Sequence, residues 1–412
     1  MDITAVTSIG GKGTRLKDIS KGLPKALIKI NGKTVLFRIA EQVSNCGIKS
    51  LFVLKGYKSE MFNKELNLIE KNLDVKVSHY LEESSLGECG AIWDIQDKIK
   101  SKEILFICGD IVFDMDLKKF VNFHKRLKSK FSLVSHITSH PEDSDLIRAP
   151  NGVQITDFSF KNNSTKQNFK GYLGNAGISL FSKEILLGIK RNEIKENTTV
   201  FKNLAYEYFK NSGRLFSYNT SEYIKDMGTP SRLEKVSSDE KINLIKKSSY
   251  NNKQKCLFID RDNTLIHCKE GQYILDESEV HIKLNKIKEL VAIRNKFDLC
   301  IMVTNQPQIS MGFLSIDNLY DINCKVILEL FNKGFKIDDI SFCPHHNHSG
   351  FKGELKELKL DCFCRKPNPG MFMQQSFLKN IDLNNSILIG DSEVDKLAAK
   401  NSGMTFININ SL

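Results

Sequence analysis

The sequence has 412 residues, of which 41% are hydrophobic, and a formal net charge of +11. This length indicates two or three domains, and the apolar fraction is sufficient for ordinary globular cores. The sequence contains no run of about 18 uncharged apolar residues, so we expect no membrane span. Residues 1–8 lack the pattern of a signal peptide, and we therefore expect a cytoplasmic protein.

The ten cysteines and the positive charge narrow the class of protein further. Most cysteines stand singly in apolar runs, where a free cysteine behaves as a small hydrophobe, so we expect no disulfide framework. The lysines are spread along the chain without a dense basic block. Phosphorylated small molecules are therefore favoured over nucleic acid as partners. The sequence carries no signal for a particular oligomeric state.

The chain opens with an apolar run at 3–9, which predicts a strand, and continues into a glycine-rich loop. Glycines let backbone N–H groups approach phosphate oxygens closely, and cationic side chains add charge-assisted hydrogen bonds. Taken alone, such a loop is a weak signal, since any tight turn has the same composition. The candidate phosphate-binding residues of this region are Gly10, Gly11, Gly13, Thr14, Arg15 and, ten residues on, Lys25.

Together with later segments, these two motifs resemble the sugar-1-phosphate nucleotidyltransferases over about the first 235 residues. The later segments contain Leu86-Gly87, Gly109-Asp110, the run 174–177 and the run 225–230. The resemblance implies a Rossmann-like α/β domain in which a sugar phosphate attacks the α-phosphate of a nucleoside triphosphate and expels pyrophosphate. Such a step depends on positioning and charge neutralisation, and Mg²⁺ prefers carboxylate ligands.

The resemblance also implies roles for individual residues. Arg15, the glycine loop and Gly87 are expected to contact the nucleotide, and Lys25 is expected to bridge the reacting phosphates. The implied Mg²⁺ ligands are Asp110 and Asp226. The implied sugar-binding residues are Asn175, Gly177 and Lys161.

Departures from the family pattern concern the base and the sugar. Ser8-Ile9 precede the glycines, Glu88-Cys89 lie beside the expected nucleobase, and Phe160 replaces a sugar-binding acid. These changes leave two interpretations open: an active transferase, or a domain that binds a sugar nucleotide and regulates the rest of the chain. The segment 141–146 resembles heptose- and mannose-type members, which favours a manno-configured sugar.

Residues 239–254 are rich in Ser, Lys and Asn, and we place a linker there between a domain at 1–238 and a domain at 255–412. The second domain begins with the apolar run 256–259, which predicts a buried parallel strand. Ligands bind at the carboxyl ends of such strands. Asp260 and Asp262 follow at once and can face one pocket if the chain curls, and Asn263 tolerates the left-handed backbone of such a curl. The alternative is a surface turn, which Asp and Asn also favour.

Three more motifs follow in a fixed order: Thr304-Asn305, Arg365-Lys366, and an acid pair at Asp391 and Asp395. In this order they resemble the haloacid dehalogenase superfamily of phosphatases, from about residue 256 to residue 410. The resemblance implies a second Rossmann-like domain without a large cap. Asp395 is expected to orient Lys366 or to support a metal, and the alternative is an acid on a helix face.

The phosphatase resemblance implies the following roles. Asp260 is the nucleophile, Asp262 is the general acid and base, and Mg²⁺ offsets the crowded negative charge. Thr304 and Lys366 are expected to bind the phosphoryl group, and Asn305 and Arg365 are expected to bind other parts of the substrate. The expected Mg²⁺ ligands are Asp260, Asp262 and Asp391.

A cysteine–histidine cluster is the most discriminating feature of the second domain. Cys343, His345, Cys362 and Cys364 offer three sulfurs and one imidazole, which suit Zn²⁺ in a closed structural site. This arrangement resembles the heptose bisphosphate phosphatases and the related histidinol phosphatases. Reduced, unrelated cysteines are the alternative. Met311 stands where these relatives usually have an arginine.

The presence of both domains in one chain favours the heptose bisphosphate phosphatases over the histidinol phosphatases. A phosphatase that makes a heptose 1-phosphate supplies the substrate of a sugar-1-phosphate nucleotidyltransferase. We therefore expect a bifunctional enzyme that removes the 7-phosphate of D-glycero-D-manno-heptose 1,7-bisphosphate and transfers GMP from GTP to heptose 1-phosphate. The product would serve surface polysaccharide synthesis. The alternative is a mannose- or glucose-1-phosphate transferase joined to a different phosphatase.

Overall fold

A computed structural model describes residues 1–11, 16, 22–82, 86–138, 140–161, 169–188, 198–269 and 271–412. The chain forms two compact units that alternate along the sequence. The first unit comprises Met1–His136, Val153–Phe160 and Asn175–Ser249, and the second comprises Ile137–Gly152, Lys161–Gly174 and Tyr250–Leu412. The last change of unit, between Ser249 and Tyr250, lies within the segment 239–254 that we treat as a linker on composition.

The N-terminal part of the chain contributes thirteen strands to the described structure. They are β1 Ile3–Ser8, β2 Lys29–Ile30, β3 Lys33–Thr34, β4 Ser50–Lys55, β5 Lys76–Leu81, β6 Glu103–Cys108, β7 Ile111–Asp114, β8 Phe131–Ile137, β9 Leu146–Arg148, β10 Asp157–Ser159, β11 Leu173–Ser182, β12 Leu215–Asn219 and β13 Tyr223–Asp226. Nine of them form one sheet, in the order β10-β9-β11-β6-β1-β4-β5, with β8 beside β11 and β12 beside β8. Its centre, β6-β1-β4-β5, is parallel.

The helices of this part are amphipathic or short elements around that sheet. They are α1 Val35–Cys46, α2 Asn63–Asn72, α3 Gly87–Ile95, α4 Leu117–Arg126, α5 Tyr206–Lys210, α6 Pro230–Lys241 and α7 Leu244–Lys247. In α1 the side chain of Thr34 accepts a hydrogen bond from the N–H of Phe37, which caps the first turn, and Gly47 ends the helix at φ 88°. Its buried face, with Leu36, Ile39 and others, packs into the core.

The C-terminal part contains a five-stranded, fully parallel sheet. Its strands are β14 Cys256–Ile259, β15 Leu299–Asn305, β16 Asp339–Cys343, β17 Ile387–Gly390 and β18 Thr405–Asn408, in the order β16-β15-β14-β17-β18. Its helices are α8 Ile287–Arg294, α9 Ile316–Asn332, α10 Gly370–Lys379 and α11 Glu393–Asn401. Because β14 has β15 on one side and β17 on the other, the strand order reverses there, which is where ligands bind in open α/β sheets.

The predicted fold class, α/β with two Rossmann-like domains, is confirmed by this architecture. The strand predicted at 3–9 and the buried strand predicted at 256–259 are present. Among the described residues, no helix has the length and apolarity that a membrane crossing requires.

Candidate active sites

The first candidate site lies at the carboxyl edge of the parallel C-terminal sheet. Asp260 follows β14, Thr304 lies near the end of β15, and Asp391 follows β17. The N–H of Asp260 donates to the carbonyl of Ile389 (2.9 Å), so the backbone stays paired up to the turn. The left-handed backbone expected at Asn263 is confirmed, with φ 56°. Parallel strands thus bring three distant motifs together, as predicted.

Lys366 is the centre of this site. Its ammonium Nζ lies 2.6 Å from Oδ1 of Asp260 and 2.6 Å from Oδ1 of Asp395, and it also donates to the carbonyl of Val303 (3.2 Å). Lys366, Asp260 and Asp395 are all buried. A buried ammonium requires such partners, because an unpaired charge would be costly to desolvate. Asp395 therefore orients Lys366, which is one of the two roles expected for it.

Asn305 holds the backbone of Lys366. Its side-chain Nδ2 donates to the carbonyl of Lys366, and its Oδ1 accepts from the Lys366 N–H, both at 3.0 Å. In the described structure, the amide of Asn305 therefore fixes the loop that carries Lys366. Substrate binding by Asn305 stays a prediction.

The electrostatics of the cluster favour a cation. Burial raises the pKa of Asp260 to about 7, against the lowering effect of Lys366, and the neighbouring Asp395 and Asp262 add to the rise. Burial and Asp395 likewise raise the pKa of Asp391. Burial alone would lower the pKa of Lys366, but the two carboxylates beside it raise the pKa overall. The cluster therefore holds three carboxylates and one ammonium, which contacts two of them.

Carboxylate oxygens of Asp260, Asp391 and Asp395 lie within 4.8 Å of one another. Oxygen donors with surplus negative charge fit a hard divalent cation such as Mg²⁺. The carboxylate of Asp262, predicted as a Mg²⁺ ligand, is not in this group. Both of its oxygens accept hydrogen bonds from Arg261 at 3.0 Å.

Arg261 and Gln306 are functional-site residues that the sequence reasoning missed. Arg261 is fully buried between the two predicted catalytic aspartates, and Gln306 donates from Nε2 to Asp262 Oδ2 (2.9 Å) and to Thr304 Oγ1 (2.8 Å). Thr304, predicted to hold phosphoryl oxygens, lies 3.4 Å from Asp262 Oδ2 through its hydroxyl. The available signal was positional: both residues sit immediately after a buried strand.

The cysteine–histidine cluster assembles as predicted from the spacing. The ligand atoms of Cys343, His345, Cys362 and Cys364 lie within 4.8 Å of one another. The Sγ–Sγ separations are 3.3, 3.3 and 3.5 Å, and His345 Nδ1 lies 3.1 Å from Cys364 Sγ. Thiolates about 2.3 Å from Zn²⁺ in a tetrahedron would be about 3.8 Å apart, so the donor set fits a tetrahedral ion.

The thiols of this cluster are linked by hydrogen bonds and so share protons. The hydrogen bond between Cys343 and Cys364 lowers the pKa of the Cys364 thiol to about 5, and the same hydrogen bond together with burial raises the pKa of Cys343. A metal ion would replace these shared protons, because metal ligation requires thiolates. Arg365, predicted to bind substrate, donates to the carbonyl of His345 (3.2 Å), which connects the cluster to the loop of Lys366.

The second candidate site lies in the N-terminal part of the chain. Lys25 Nζ lies 3.1 Å from Oδ2 of Asp110, a predicted Mg²⁺ ligand. Asp226, the other predicted ligand, ends β13, and the N–H of Met227 donates to the carbonyl of Asp110 (2.9 Å). Asp110 directly precedes β7, whose first residue Ile111 pairs with Asp226, so the two acids lie at the same end of the β7–β13 pair. Asp226 also pairs with Arg232 at 2.8 Å.

Glycines shape the same region. Gly177 has φ 76°, and a Cβ built on it would lie 3.0 Å from the Sγ of Cys108, two residues before Asp110 in the sequence. Asn175 Oδ1 accepts from the Gly177 N–H (3.3 Å). Gly10 and Gly11 follow the end of β1, and Gly87 begins α3. These glycines therefore lie at element ends, and their contacts with a nucleotide stay a prediction.

The remaining predicted residues have other outcomes. Gly13, Thr14 and Arg15 lie outside the described residues. Lys161 forms an ion pair with Asp143, and its N–H donates to Asp145 Oδ1 (2.7 Å).

The departures from the family pattern are built into the core. Phe160 packs edge-on against Tyr206 with ring centroids 4.9 Å apart and belongs to an aromatic cluster that includes Phe158 and Phe201. Glu88 accepts a hydrogen bond from the N–H of Val200 (3.1 Å). Phe160, which stands where the family pattern has a sugar-binding acid, thus packs into an apolar cluster.

Two family models match different parts of the chain. The nucleotidyl transferase family matches residues 5–242, and the HAD-hydrolase-like family matches residues 363–411. Among solved structures, a glucose-1-phosphate thymidylyltransferase from Bacillus anthracis superposes with a TM-score of 0.51 at 18% identity. That superposition covers 57% of this chain and 94% of the other, and it shows a shared fold.

Three similar proteins illustrate the two halves. A D-glycero-beta-D-manno-heptose-1,7-bisphosphate 7-phosphatase of Vibrio cholerae is 33% identical over 36% of this chain and 76% of its own length. A D-glycero-alpha-D-manno-heptose-1,7-bisphosphate 7-phosphatase of Photorhabdus laumondii is 35% identical over 37% of this chain and 80% of its own length. A mannose-1-phosphate guanylyltransferase catalytic subunit beta of Xenopus tropicalis is 26% identical over 55% of this chain and 61% of its own length.

Proposed function

The chain belongs to the nucleotidyl transferase family and, in its phosphatase half, to the HAD-like family of the heptose-1,7-bisphosphate 7-phosphatases; from this premise we propose two consecutive reactions on one sugar. The first removes the 7-phosphate of D-glycero-D-manno-heptose 1,7-bisphosphate. The second transfers GMP from GTP to the resulting heptose 1-phosphate. The observation that carries the phosphatase step is the buried cluster of Asp260, Lys366 and Asp395 beside Asp262.

The phosphatase step follows from the positions of these residues. A carboxylate oxygen of Asp260 attacks phosphorus, and the bond between phosphorus and the sugar oxygen breaks. Asp262 gives its proton to the leaving oxygen and then takes a proton from the water that cleaves the aspartyl phosphate. Lys366 and Thr304 hold the phosphoryl oxygens, and free phosphate leaves as Asp260 is restored.

Two metal ions complete the proposal for the phosphatase domain. Mg²⁺, held by Asp260, Asp391 and Asp395, would offset the negative charge of the carboxylates and the phosphate. Zn²⁺, held by Cys343 and its three partners in the cysteine–histidine cluster, would fix the loop that continues into Arg365 and Lys366.

For the transferase step, the sugar phosphate oxygen attacks the α-phosphate of the nucleotide and pyrophosphate leaves. Lys25 neutralises charge on the reacting phosphates, and Asp110 with Asp226 would hold a second Mg²⁺. Arg232 pairs with Asp226 and would share that carboxylate with the ion. The guanylyltransferase among the similar proteins supports GTP as the donor.

A coupled assay tests both steps. The protein receives heptose 1α,7- or 1β,7-bisphosphate, Mg²⁺ and each nucleoside triphosphate in turn, and phosphate and pyrophosphate are measured separately. We expect phosphate first, and pyrophosphate only with GTP and the α anomer. Failure to release phosphate from either anomer would refute the phosphatase step.

A second function for the N-terminal domain is favoured by Glu88 and Phe160, which occupy base- and sugar-side positions with other contacts. This domain would bind a sugar nucleotide and regulate phosphate release. Tight nucleotide binding without pyrophosphate from any triphosphate, together with a phosphatase rate that responds to the nucleotide, would support regulation over transfer.

A further inference from the structure

The side chain of Arg261 makes contacts that the proposed phosphatase mechanism does not yet use. Arg261 lies between Asp260 and Asp262 and is fully buried. Buried arginines are rare and require several partners, since the guanidinium cannot lose its charge. The adjacent acid Asp262 keeps 28% of its side-chain surface exposed. The buried cation therefore supports a carboxylate that still faces the pocket.

The contacts of Arg261 hold the guanidinium from three sides. Its Nε donates to Asp262 Oδ1 and its Nη2 to Asp262 Oδ2, both at 3.0 Å, which forms a two-point clamp. Nη2 also donates to Gln306 Oε1 (2.9 Å), and Nη1 donates to Asn323 Oδ1 on α9 (3.1 Å). The planar fork cannot rotate without breaking several of these bonds.

Gln306 completes the clamp from the other strand. Its Oε1 accepts from Arg261, and its Nε2 donates to Asp262 Oδ2 (2.9 Å). The hydroxyl of Thr304 is a third neighbour of the same oxygen, at 3.4 Å. Asp262 Oδ2 is thus contacted by three residues, whereas Oδ1 is contacted by the Arg261 guanidinium alone, so Oδ1 keeps more free acceptor capacity for a substrate or a water molecule.

We propose that Arg261 and Gln306 are a positioning pair that fixes the Asp262 carboxylate and presents its Oδ1 to the leaving oxygen and then to the attacking water. This inference rests on the proposed phosphatase function and adds two residues to it. Both act through Asp262 and do not touch the phosphate. General acid–base catalysis depends on placement within hydrogen-bond reach, so loss of the clamp should slow both proton transfers.

The two half-reactions need these proton transfers to different extents. When a sugar alkoxide leaves, the proton from Asp262 is needed as the bond between phosphorus and oxygen breaks. When 4-nitrophenolate leaves, it carries its negative charge without a proton. Hydrolysis of the aspartyl phosphate requires a proton to be taken from water whichever substrate was used. A misplaced Asp262 should therefore leave the first step with 4-nitrophenyl phosphate intact and slow the second.

The experiment compares Arg261→Met, Arg261→Lys and the parent protein on heptose 1,7-bisphosphate and on 4-nitrophenyl phosphate. For Arg261→Met we expect kcat on the sugar to fall on the order of 10²-fold with little change in KM. On 4-nitrophenyl phosphate we expect a full first-turnover burst, followed by slow turnover with phosphoenzyme accumulated. Arg261→Lys should retain more activity, because it keeps the charge and loses the fork.

Arg294→Met is the matched control. Arg294 is another buried arginine of the same domain, paired with Asp338 at 2.5 Å and not connected to Asp262. Its loss should lower stability without phosphoenzyme accumulation. Unchanged kcat in Arg261→Met, or equal losses in burst and turnover rates, would overturn the inference. A parent protein that hydrolyses neither substrate would instead refute the proposed function.

Gln306→Leu decides the question if Arg261→Met does not fold. This variant removes one donor to Asp262 Oδ2 and leaves the Arg261 clamp in place. We expect about a tenfold lower kcat on the sugar, with the same burst and accumulated phosphoenzyme. A Gln306→Leu protein with unchanged kcat and no accumulation would overturn the positioning role.

Discussion

Lys366 illustrates how one side chain depends on its surroundings. The sequence places it in a Cys-Arg-Lys-Pro run, but only the fold brings it to 2.6 Å from both Asp260 and Asp395. Asn305 then fixes the backbone from a neighbouring strand. The cation is held in position before substrate arrives, which lowers the cost of organising the site during the reaction.

At the residue scale, Gly177→Ala should impair transfer and spare phosphate release. The new Cβ would be strained at φ 76° and would contact Cys108 Sγ at 3.0 Å, beside Asp110. Displacement of this strand end should lower the kcat/KM for pyrophosphate release by about tenfold or more.

Gly152→Ala separates strain from contact in that experiment. Gly152 has the same φ of 76°, and nothing lies within 4 Å of a Cβ built there. Both variants should lose about 1–3 kcal/mol of stability from backbone strain, and only Gly177→Ala should lose transferase activity. Equal transferase activity in the two variants would contradict the steric explanation.

At the element scale, the cysteine–histidine cluster should support the loop that carries Lys366. Cys362→Ser removes one sulfur ligand and should lower bound zinc and phosphatase kcat together, because Arg365 contacts the carbonyl of His345. The measurements are metal content by atomic absorption and phosphate release.

Cys268→Ser is the control for this substitution. Cys268 is partly exposed and lies outside the cluster. The Cys268→Ser protein should retain its full zinc content. Normal zinc in Cys362→Ser would argue against the four-ligand site, whereas low zinc with normal kcat would separate the metal from the loop.

Asp338 couples the stability of the β15–β16 region to pH. Burial by itself raises the pKa of Asp338, but Lys336 and Arg294 outweigh burial and lower the pKa overall. A carboxyl group whose pKa is lower in the folded than in the unfolded state stabilises above its unfolded pKa, about 3.9. That contribution is lost as the pH falls through the folded pKa.

Asp338→Asn should therefore lower the free energy of unfolding by about 3 kcal/mol at pH 7, because Arg294 remains buried without its charge partner. The difference from the parent should shrink below about pH 4. Urea titrations at several pH values measure this. Glu329→Gln breaks an exposed ion pair with Lys325 and should change stability by less than about 0.5 kcal/mol. A constant difference for Asp338→Asn across pH would contradict the ionic origin.

At the scale of the whole molecule, the two activities should be separable by single substitutions. Asp260→Asn removes the nucleophile and should abolish phosphate release, while a supplied heptose 1-phosphate should still give pyrophosphate with GTP. Asp110→Asn should have the reverse effect, since it removes a metal ligand beside Lys25. Asp361→Asn, at an exposed acid, should leave both rates unchanged. Loss of both activities in either single variant would contradict two independent sites.

The sequence alone predicted the two α/β domains, the acids that meet at the edge of the second sheet, and the four residues of the cysteine–histidine cluster. These features are local: a short apolar run before an acid predicts a strand end, and fixed spacings bring sulfur ligands onto tight turns. The left-handed backbone at Asn263 was predictable for the same reason, since it depends on one residue type in one turn.

Only the tertiary structure decided the orientation of side chains within those motifs. Asp262 pairs with Arg261 and Gln306, Asp395 joins Lys366, and Asn305 binds the backbone of Lys366. Apart from Arg261, these partners are 29 to 61 residues away in the chain. The positions of the motifs along the chain predict which chemical groups meet at a sheet edge. Packing and desolvation then determine which of these groups pair.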